Sequence, residues 1–383
     1  MAEVERTHPV TAVSRRPTIH DVAAKAAVSR GTVDRALHDR PGVNRETATL
    51  IKRVAREIGY TSNNAARALH YNTKPREVTV LLPARNREFV DRLENGVFMA
   101  LQELKDMGIT VKSMRLDPQK EEEILQTLTA AVRQESAGIV VSTIDTPRIT
   151  RALDRAIGSG IPVITLNSDV SESRRLCFVG QDLINSGLVA AELMAKLLAG
   201  RSGRILAIMG NRDFEAHRDR ISGFEEGIAR WGSQLRVVVR ESYSTYEGTM
   251  SCLEEEFSRE YLVDQMPIIG IYMATGINEA CLDFVQGNNK KGRVRIITND
   301  ESTATVRGLR EGTIDFTICQ DPEQQGYMAL KTMFGYLQSR TPPETRWYQT
   351  PVRIVGAAAL SAGNSRGTPP PGGNRTDHPD LSE

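Results

Sequence analysis

Thr18–Leu37 reads TIHDVAAKAAVSRGTVDRAL, two short helical stretches separated by a tight break. Ile19, Val22, Ala23 and Ala26 recur at helical intervals, so the spacing predicts a helix over 19–26 with one apolar face. Thr18 stands at its N-cap, and Asp21 puts a negative charge in the first turn, where the helix dipole favours it. Ala27-Val28 makes the turn. Ser29 caps a second helix, whose inward face is Thr32, Val33, Ala36 and Leu37. After the break at Arg40-Pro41-Gly42, a third helix is predicted over 45–58, with Ala48, Ile51, Val54, Ala55 and Ile58 as its stripe. Three short helices around one small core are about the least that lets such a module fold.

Charge marks the same region. The chain has 383 residues and a net charge of +1. Between Pro17 and Pro75, however, ten basic residues face five acidic ones, so this segment carries +5 and the remainder −4. A basic module on an acidic body is the electrostatic pattern of a phosphate-binding head on a soluble carrier. The length implies two or three domains, and 40% hydrophobic residues suffice for a sizeable core. Cys177, Cys252, Cys281 and Cys319 lie far apart without metal-ligand spacing, which predicts buried free thiols in a reducing compartment. No apolar run approaches the ~20 residues of a membrane span, and no signal-peptide core opens the chain. The expected location is cytoplasmic.

Beyond the polar, proline-bearing stretch HYNTKPRE (70–77), strands and helices alternate. Strands are predicted at 78–82, 110–114, 138–142, 162–166, 177–179, 204–209, 237–240, 268–272, 294–298 and 317–319. Helices are predicted at 89–107, 120–134, 185–198 and 220–231, among others. Such alternation argues for parallel sheets covered on both faces, in two similar lobes. The chain carries no P-loop, HExxH or GxSxG motif, and five of its six histidines lie outside the body, leaving His217 alone there. These features argue against an enzyme, and no cofactor or metal is expected.

The runs DVAAKAAVSRGTVDRAL (21–37), GVNRETATLIKRVAREIGY (42–60) and NNAARAL (63–69) resemble the DNA-binding headpiece of the LacI (lactose-repressor) family. That family's pattern is V-S-x-x-T-V-S-R on a helix-turn-helix, a third helix, then Y-x-P-N-x-x-A-x-x-L. Val28, Ser29, Thr32, Val33, Arg35, Tyr60, Asn63, Ala66 and Leu69 match it. Asp34 replaces a serine and Ser62 a proline. Asp34 lies four residues after Arg30, suited either to an ion pair with it or to a cytosine amino group. The resemblance implies that Arg30 and Arg35 read guanines, that Ser29, Thr32 and Asn63 hold phosphates, and that a hinge segment with Ala66 and Leu69 enters the minor groove. It further implies a homodimer on a pseudo-palindromic operator in double-stranded DNA, associated with the nucleoid.

The body resembles the ribose-binding-like branch of the periplasmic sugar-binding fold, through IPVITLNSD (161–169), EAHRDRISGF (215–224), IITNDES (296–302) and TICQDPEQQGYMAL (317–330). That fold holds its ligand between two lobes, at the C-terminal ends of strands. By motif match, Phe89, Asn167, Arg218, Asp300 and Gln320 are the expected effector-binding residues for a small sugar or polyol. The alternative for Arg218 is a salt bridge to Asp213, Glu215 or Asp219. Ser168 stands where ribose binders have arginine, and Arg85 and Arg87 open the alternative of an anionic ligand. The implied organisation is an arm (1–16), a headpiece (17–62), a hinge and linker (63–75), a body (76–360) and a Pro/Gly-rich disordered tail (361–383). Lobe one takes about 76–181 and 321–346, lobe two about 182–320 and 347–360. The whole is expected to be a DNA-binding regulator, a repressor, controlled by its effector. The competing reading is a binding protein or enzyme whose N-terminal helices serve assembly.

Overall fold

The computed structural model describes residues 17–37, 42–58, 75–104, 107–259 and 266–361. The arm, most of the hinge and linker, and all but Ser361 of the tail lie outside them, so those expectations, with Asn63, Ala66 and Leu69, are not addressed by the structure. The chain divides into two compact units, one holding the three N-terminal helices and one holding both sheets.

In the first unit, α1 (Ile19–Lys25), α2 (Arg30–Leu37) and α3 (Arg45–Glu57) enclose one small core. The Asp21 carboxylate accepts from both the backbone N–H and the hydroxyl of Thr18, at 2.6 and 2.7 Å, closing the first turn of α1. Ala27 takes a left-handed φ of 53°, which makes the reversal between α1 and α2 without a glycine. Ser29 Oγ accepts the amide of Thr32 at 3.1 Å, and Asn44 Oδ1 accepts that of Thr47 at 2.7 Å. Each side chain thus satisfies an amide the helix itself cannot. Val22, Val33, Ala36, Ile51, Val54 and Ala55 are buried together.

The second unit opens with β1 (Arg76–Pro83), α4 (Arg87–Leu104), β2 (Ile109–Leu116), α5 (Glu121–Arg133), β3 (Gly138–Val141), α6 (Pro147–Gly158), β4 (Val163–Leu166) and β5 (Cys177–Gln181). It continues with α7 (Leu183–Leu197), β6 (Gly203–Met209), α8 (Glu215–Trp231), β7 (Leu235–Glu241), α9 (Tyr246–Ser258), β8 (Ile268–Met273), α10 (Asn278–Gly287), β9 (Arg295–Asn299), α11 (Thr303–Arg310) and β10 (Phe316–Cys319). The described chain closes with α12 (Pro322–Ser339), β11 (Trp347–Thr350), β12 (Arg353–Val355) and α13 (Ala357–Ser361). One sheet runs β11-β5-β4-β3-β1-β2 and the other β12-β10-β9-β8-β6-β7, so the second lobe repeats the strand order of the first. The central strands are continuous apolar runs, GIVV in β3 and VITL in β4, buried throughout because helices cover both faces. The edge strands β2 and β7 are only half-buried.

The chain passes between lobes three times, after β5, after β10 and between β11 and β12. Gln181 ties these passages together: its Nε2 donates to the carbonyls of Cys319 and Pro351, each at 3.0 Å. The last passage corrects the sequence boundary at 346/347. Trp347–Thr350 pairs in parallel with β5 and so belongs to lobe one, and the crossing comes after Thr350. All four cysteines are buried free thiols, and burial pushes those of Cys177, Cys281 and Cys319 up to about 12. No described helix is long and apolar enough to cross a membrane.

Candidate functional site

A small cavity of about 60 Å³ lies between the two lobes. Its lining comes from the residues that follow the C-terminal ends of strands in both lobes, where doubly wound sheets bind ligands. The backbone there is unusual. Asn86, Asn167, Tyr243, Ser244 and Asp300, all lining residues, have φ between 51° and 66°, a region L-residues rarely adopt. Asparagine and aspartate tolerate it best; Tyr243 does not, so its conformation is imposed by the surrounding structure.

Of the five expected ligand residues, the structure brings four together. Phe89, Asn167, Asp300 and Gln320 all line this cavity. Asn167 Nδ2, after β4 in lobe one, donates to Gln320 Oε1 at 2.8 Å. Gln320 Nε2 donates in turn to Asp300 Oδ1, after β9 in lobe two, at 2.9 Å. Gln325 steadies the chain by donating through Nε2 to the Gln320 carbonyl at 2.9 Å and to Thr350 Oγ1 at 3.1 Å. A polar relay therefore spans both lobes and the passage between them.

Arg218 is not in that group. Its guanidinium pairs with Asp145 of lobe one at 2.7 Å, an aspartate outside the three the sequence offered, and it does not line the cavity. Arg220 lines it instead. The physical reason is helical phase: α8 begins at Glu215, so residues two apart point about 200° around the axis. Arg220 is 3% exposed and donates through Nη1 to the Ala274 carbonyl at 3.3 Å. Its Nε is buried with no hydrogen-bond partner among the described residues. Burial raises the Asp300 carboxyl above its ordinary range, while the charge of Arg220 and the hydrogen bond from Gln320 oppose the rise.

Sequence reasoning passed over Asn86, Asn211 and Ser244 as polar lining, and His217, the body's lone histidine, read from sequence as a pocket wall, lines the cavity too. The His217 Nδ1 lies 2.9 Å from the Asn211 amide nitrogen. Burial, then the nearby Arg220 charge, depress the ring to about 4, so it is neutral near pH 7. Phe89 and Phe214 supply buried aromatic walls. Arg85 reaches the lining too, but it pairs with Asp117 at 3.2 Å and donates to Gln119, so its charge is already met. Arg87 is an exposed partner of Asp91. The anionic-ligand alternative therefore loses its motive. Ser168 spends its hydroxyl on the Ala216 amide at 3.3 Å, across the lobes. At the opposite rim, Glu88 accepts from the Thr303 amide at 2.8 Å and Arg92 pairs with Glu301 at 3.5 Å.

In the first unit, Ser29, Arg30 and Arg35 are exposed on α2 and its cap, while Val33 and Ala36 face the core. Ser29 Oγ and Thr32 Oγ1 are hydrogen-bonded to each other at 2.8 Å. Arg30 Nη1 lies 3.5 Å from His20 Nε2. Gly31 leaves room beside Arg35: a Cβ placed there would lie 4.0 Å from Arg35 Nη2.

Comparison with known proteins bears on both units. Residues 18–63 match the model of bacterial regulatory proteins of the lacI family, and residues 78–341 that of the periplasmic binding protein domain. The ribose operon repressor of Bacillus subtilis is 27% identical over 345 residues, covering 88% of this chain and 97% of that protein. Among solved structures, a solute-binding protein of Burkholderia graminis in complex with D-arabinose aligns with a TM-score of 0.68 at 21% identity, over 76% of this chain and 97% of its own. A putative LacI transcriptional regulator from Bacteroides fragilis aligns with a TM-score of 0.66 at 21% identity, over 76% and 99%. At that identity the two structures speak to the fold.

Proposed function

The chain belongs to the LacI family of bacterial regulatory proteins, with a periplasmic binding protein domain as its body, and we propose that it is a repressor whose operator affinity is set by a small sugar or polyol held between the lobes. By that membership it is a DNA-binding transcriptional regulator. The observation that carries the effector reading is the relay Asn167–Gln320–Asp300, which crosses both lobes inside a cavity that also holds a buried, incompletely partnered Arg220.

A polyol suits this set. Asp300 accepts hydroxyls, Arg220 donates to hydroxyl or ring oxygens, and both bonds are charge-assisted. The amides of Asn167 and Gln320 do either, and Phe89 and Phe214 cover the apolar faces of a sugar ring. Because the contacts come from both lobes, occupancy favours closure. Coupling of that kind is worth about 1–3 kcal/mol between effector and DNA. The relative named for the ribose operon supports a sugar in this place.

At the operator, Arg30 and Arg35 read guanine edges, while Ser29 and Thr32 set the position on phosphates. Asn63, Ala66 and Leu69 complete the contact on the family pattern. The protein acts as a homodimer on a pseudo-palindromic site, at the nucleoid in the cytoplasm. A thermal-shift panel of pentoses, hexoses and polyols, followed by electrophoretic mobility shift of operator fragments with each hit, tests the proposal. One sugar or a few should raise the melting temperature and also change operator affinity. Ribose should be weak, since Ser168 gives it no arginine. A panel in which nothing shifts the melting temperature overturns the effector reading.

A further inference from the structure

A second cleft opens between the lobes beside Gln181, and it shares no lining residue with the effector cavity. Four carboxylates line it, those of Asp169, Asp182, Glu215 and Asp219, against one guanidinium, that of Arg175. Arg175 is already paired with Asp169, and Asp182 accepts the amide of Asn185 at 2.9 Å as the cap of α7. With Asp169 paired, the surplus negative charge is shared by Asp182, Glu215 and Asp219. Glu215 Oε2 is buried with no hydrogen-bond partner among the described residues.

An independent observation points the same way. Gln181 is 1% exposed. Its Nε2 is committed to two carbonyls, which identifies the other atom as the amide oxygen, and that Oε1 has no donor among the described residues. Two buried acceptors in one cleft, both lacking donors, call for a ligand rich in N–H groups. The rest of the wall is apolar and aromatic. Phe178 and Trp347 lie with ring centroids 6.1 Å apart, and Ile184 and Leu188 complete that side. Among the described residues, no group of three or more His, Cys, Asp or Glu could hold a metal ion. The charge is therefore better met by an organic cation than by a bare ion.

We infer that this cleft is a second ligand site, for an organic ammonium ion whose N–H groups reach Glu215 Oε2 and Gln181 Oε1 and whose apolar body lies against Phe178 and Trp347. Phe178 and Trp347 belong to lobe one and Glu215 to lobe two, so a ligand here favours closure independently of the sugar. It is a second input to the same switch, and it rests on the cleft's own residues rather than on the sugar assignment. Burial, then Asp169, Asp219 and Asp145, push the Glu215 carboxyl up to about 7. Arg175 and Arg218 are the cations paired with Asp169 and Asp145. Binding of a cation thus requires Glu215 to lose its proton.

Isothermal titration of the full chain with phenethylammonium, and with 2-phenylethanol as its neutral counterpart, tests this. Saturable binding of the amine is expected, at least about tenfold tighter than the alcohol, and tightening about tenfold between about pH 6 and pH 8. Glu215→Gln should lower the amine affinity at least about tenfold and flatten its pH dependence; Asp219→Asn provides the second variant if the first does not fold. Asp300→Asn, in the effector cavity, should leave amine binding as in the parent. Absence of saturable binding, equal binding of the alcohol, or loss of amine binding in Asp300→Asn each overturns the proposal.

Discussion

Replacing Arg220 with methionine should separate the effector site from its rim, because two arginines on one helix face different surroundings. Arg220 is 3% exposed, holds the Ala274 carbonyl through Nη1, and keeps a buried Nε without a partner among the described residues. A charge-assisted hydrogen bond contributes about 1.5–3 kcal/mol. Removing the guanidinium should thus cost about 2–3 kcal/mol of sugar affinity, roughly 30- to 150-fold. Arg218 makes an ion pair with Asp145, but its side chain is 39% exposed. Solvent screening holds such a pair to about 0–1 kcal/mol, so Arg218→Met should weaken binding less than about fivefold.

The assay is isothermal titration with the sugar that gives the largest thermal shift, beside a thermal melt of each variant to establish that it folds. Arg220→Lys keeps the charge but loses the planar fork, and should fall between parent and methionine variant. The argument has a specific weak point: without Arg220, Asp300 loses a charge that opposes its raised pKa. Repeating the titration at higher pH restores the carboxylate and isolates the arginine's own contribution. If Arg220→Met binds within about threefold of the parent, or if Arg218→Met loses as much as Arg220→Met, the placement of Arg220 as the ligand's donor is wrong.

His217, held near 4 against an ordinary 6.5, is neutral in the fold but takes a proton when unfolded; stability should therefore fall as pH drops from about 6.5 through 4, and urea midpoints of His217→Asn should lack that part of the slope. Gly223→Ala should lower the melting temperature, because a Cβ there would lie 2.0 Å from the Ile184 carbonyl oxygen and would prise α8 from α7; overpacking of this kind costs about 1–3 kcal/mol. An unchanged melt would mean the two helices part freely. Arg35→Ala should cost about 1–3 kcal/mol of operator affinity and relax preference at one position of each half-site, with little change in salt dependence. A uniform loss with a shallower salt slope would make Arg35 a phosphate contact instead.

What could be read from the sequence follows from where hydrophobic periodicity is strong. All ten predicted strands are present; the central ones are apolar runs, since burial on both faces leaves no room for polar alternation, while β2 and β7 are half-buried edges. Trp347–Thr350 and Arg353–Val355 escaped, being mostly half-buried or exposed, short and split by Pro351. Asn167, Asp300 and Gln320 were legible because a polar residue just after such a run sits at the strand end, where this fold binds ligands. Asn86 and Ser244 sit in left-handed loop positions, where no period exists to locate them.

The two arginines mark the boundary between these cases. Ala216, Phe224 and Ile228 are buried on α8 at intervals of four or eight, and Arg220 falls in that same phase. Gly223 adds to it: the missing side chain lets α7 approach to backbone distance, which fixes the helix's rotation. Arg218 is out of phase. A match by motif alone weighs both arginines equally, whereas the apolar and glycine positions around them settle which one is turned inward. A charged residue in the phase of a buried stripe costs stability unless something meets its charge. Arg220 has Asp300 for part of that, and its unpartnered Nε is left for the ligand.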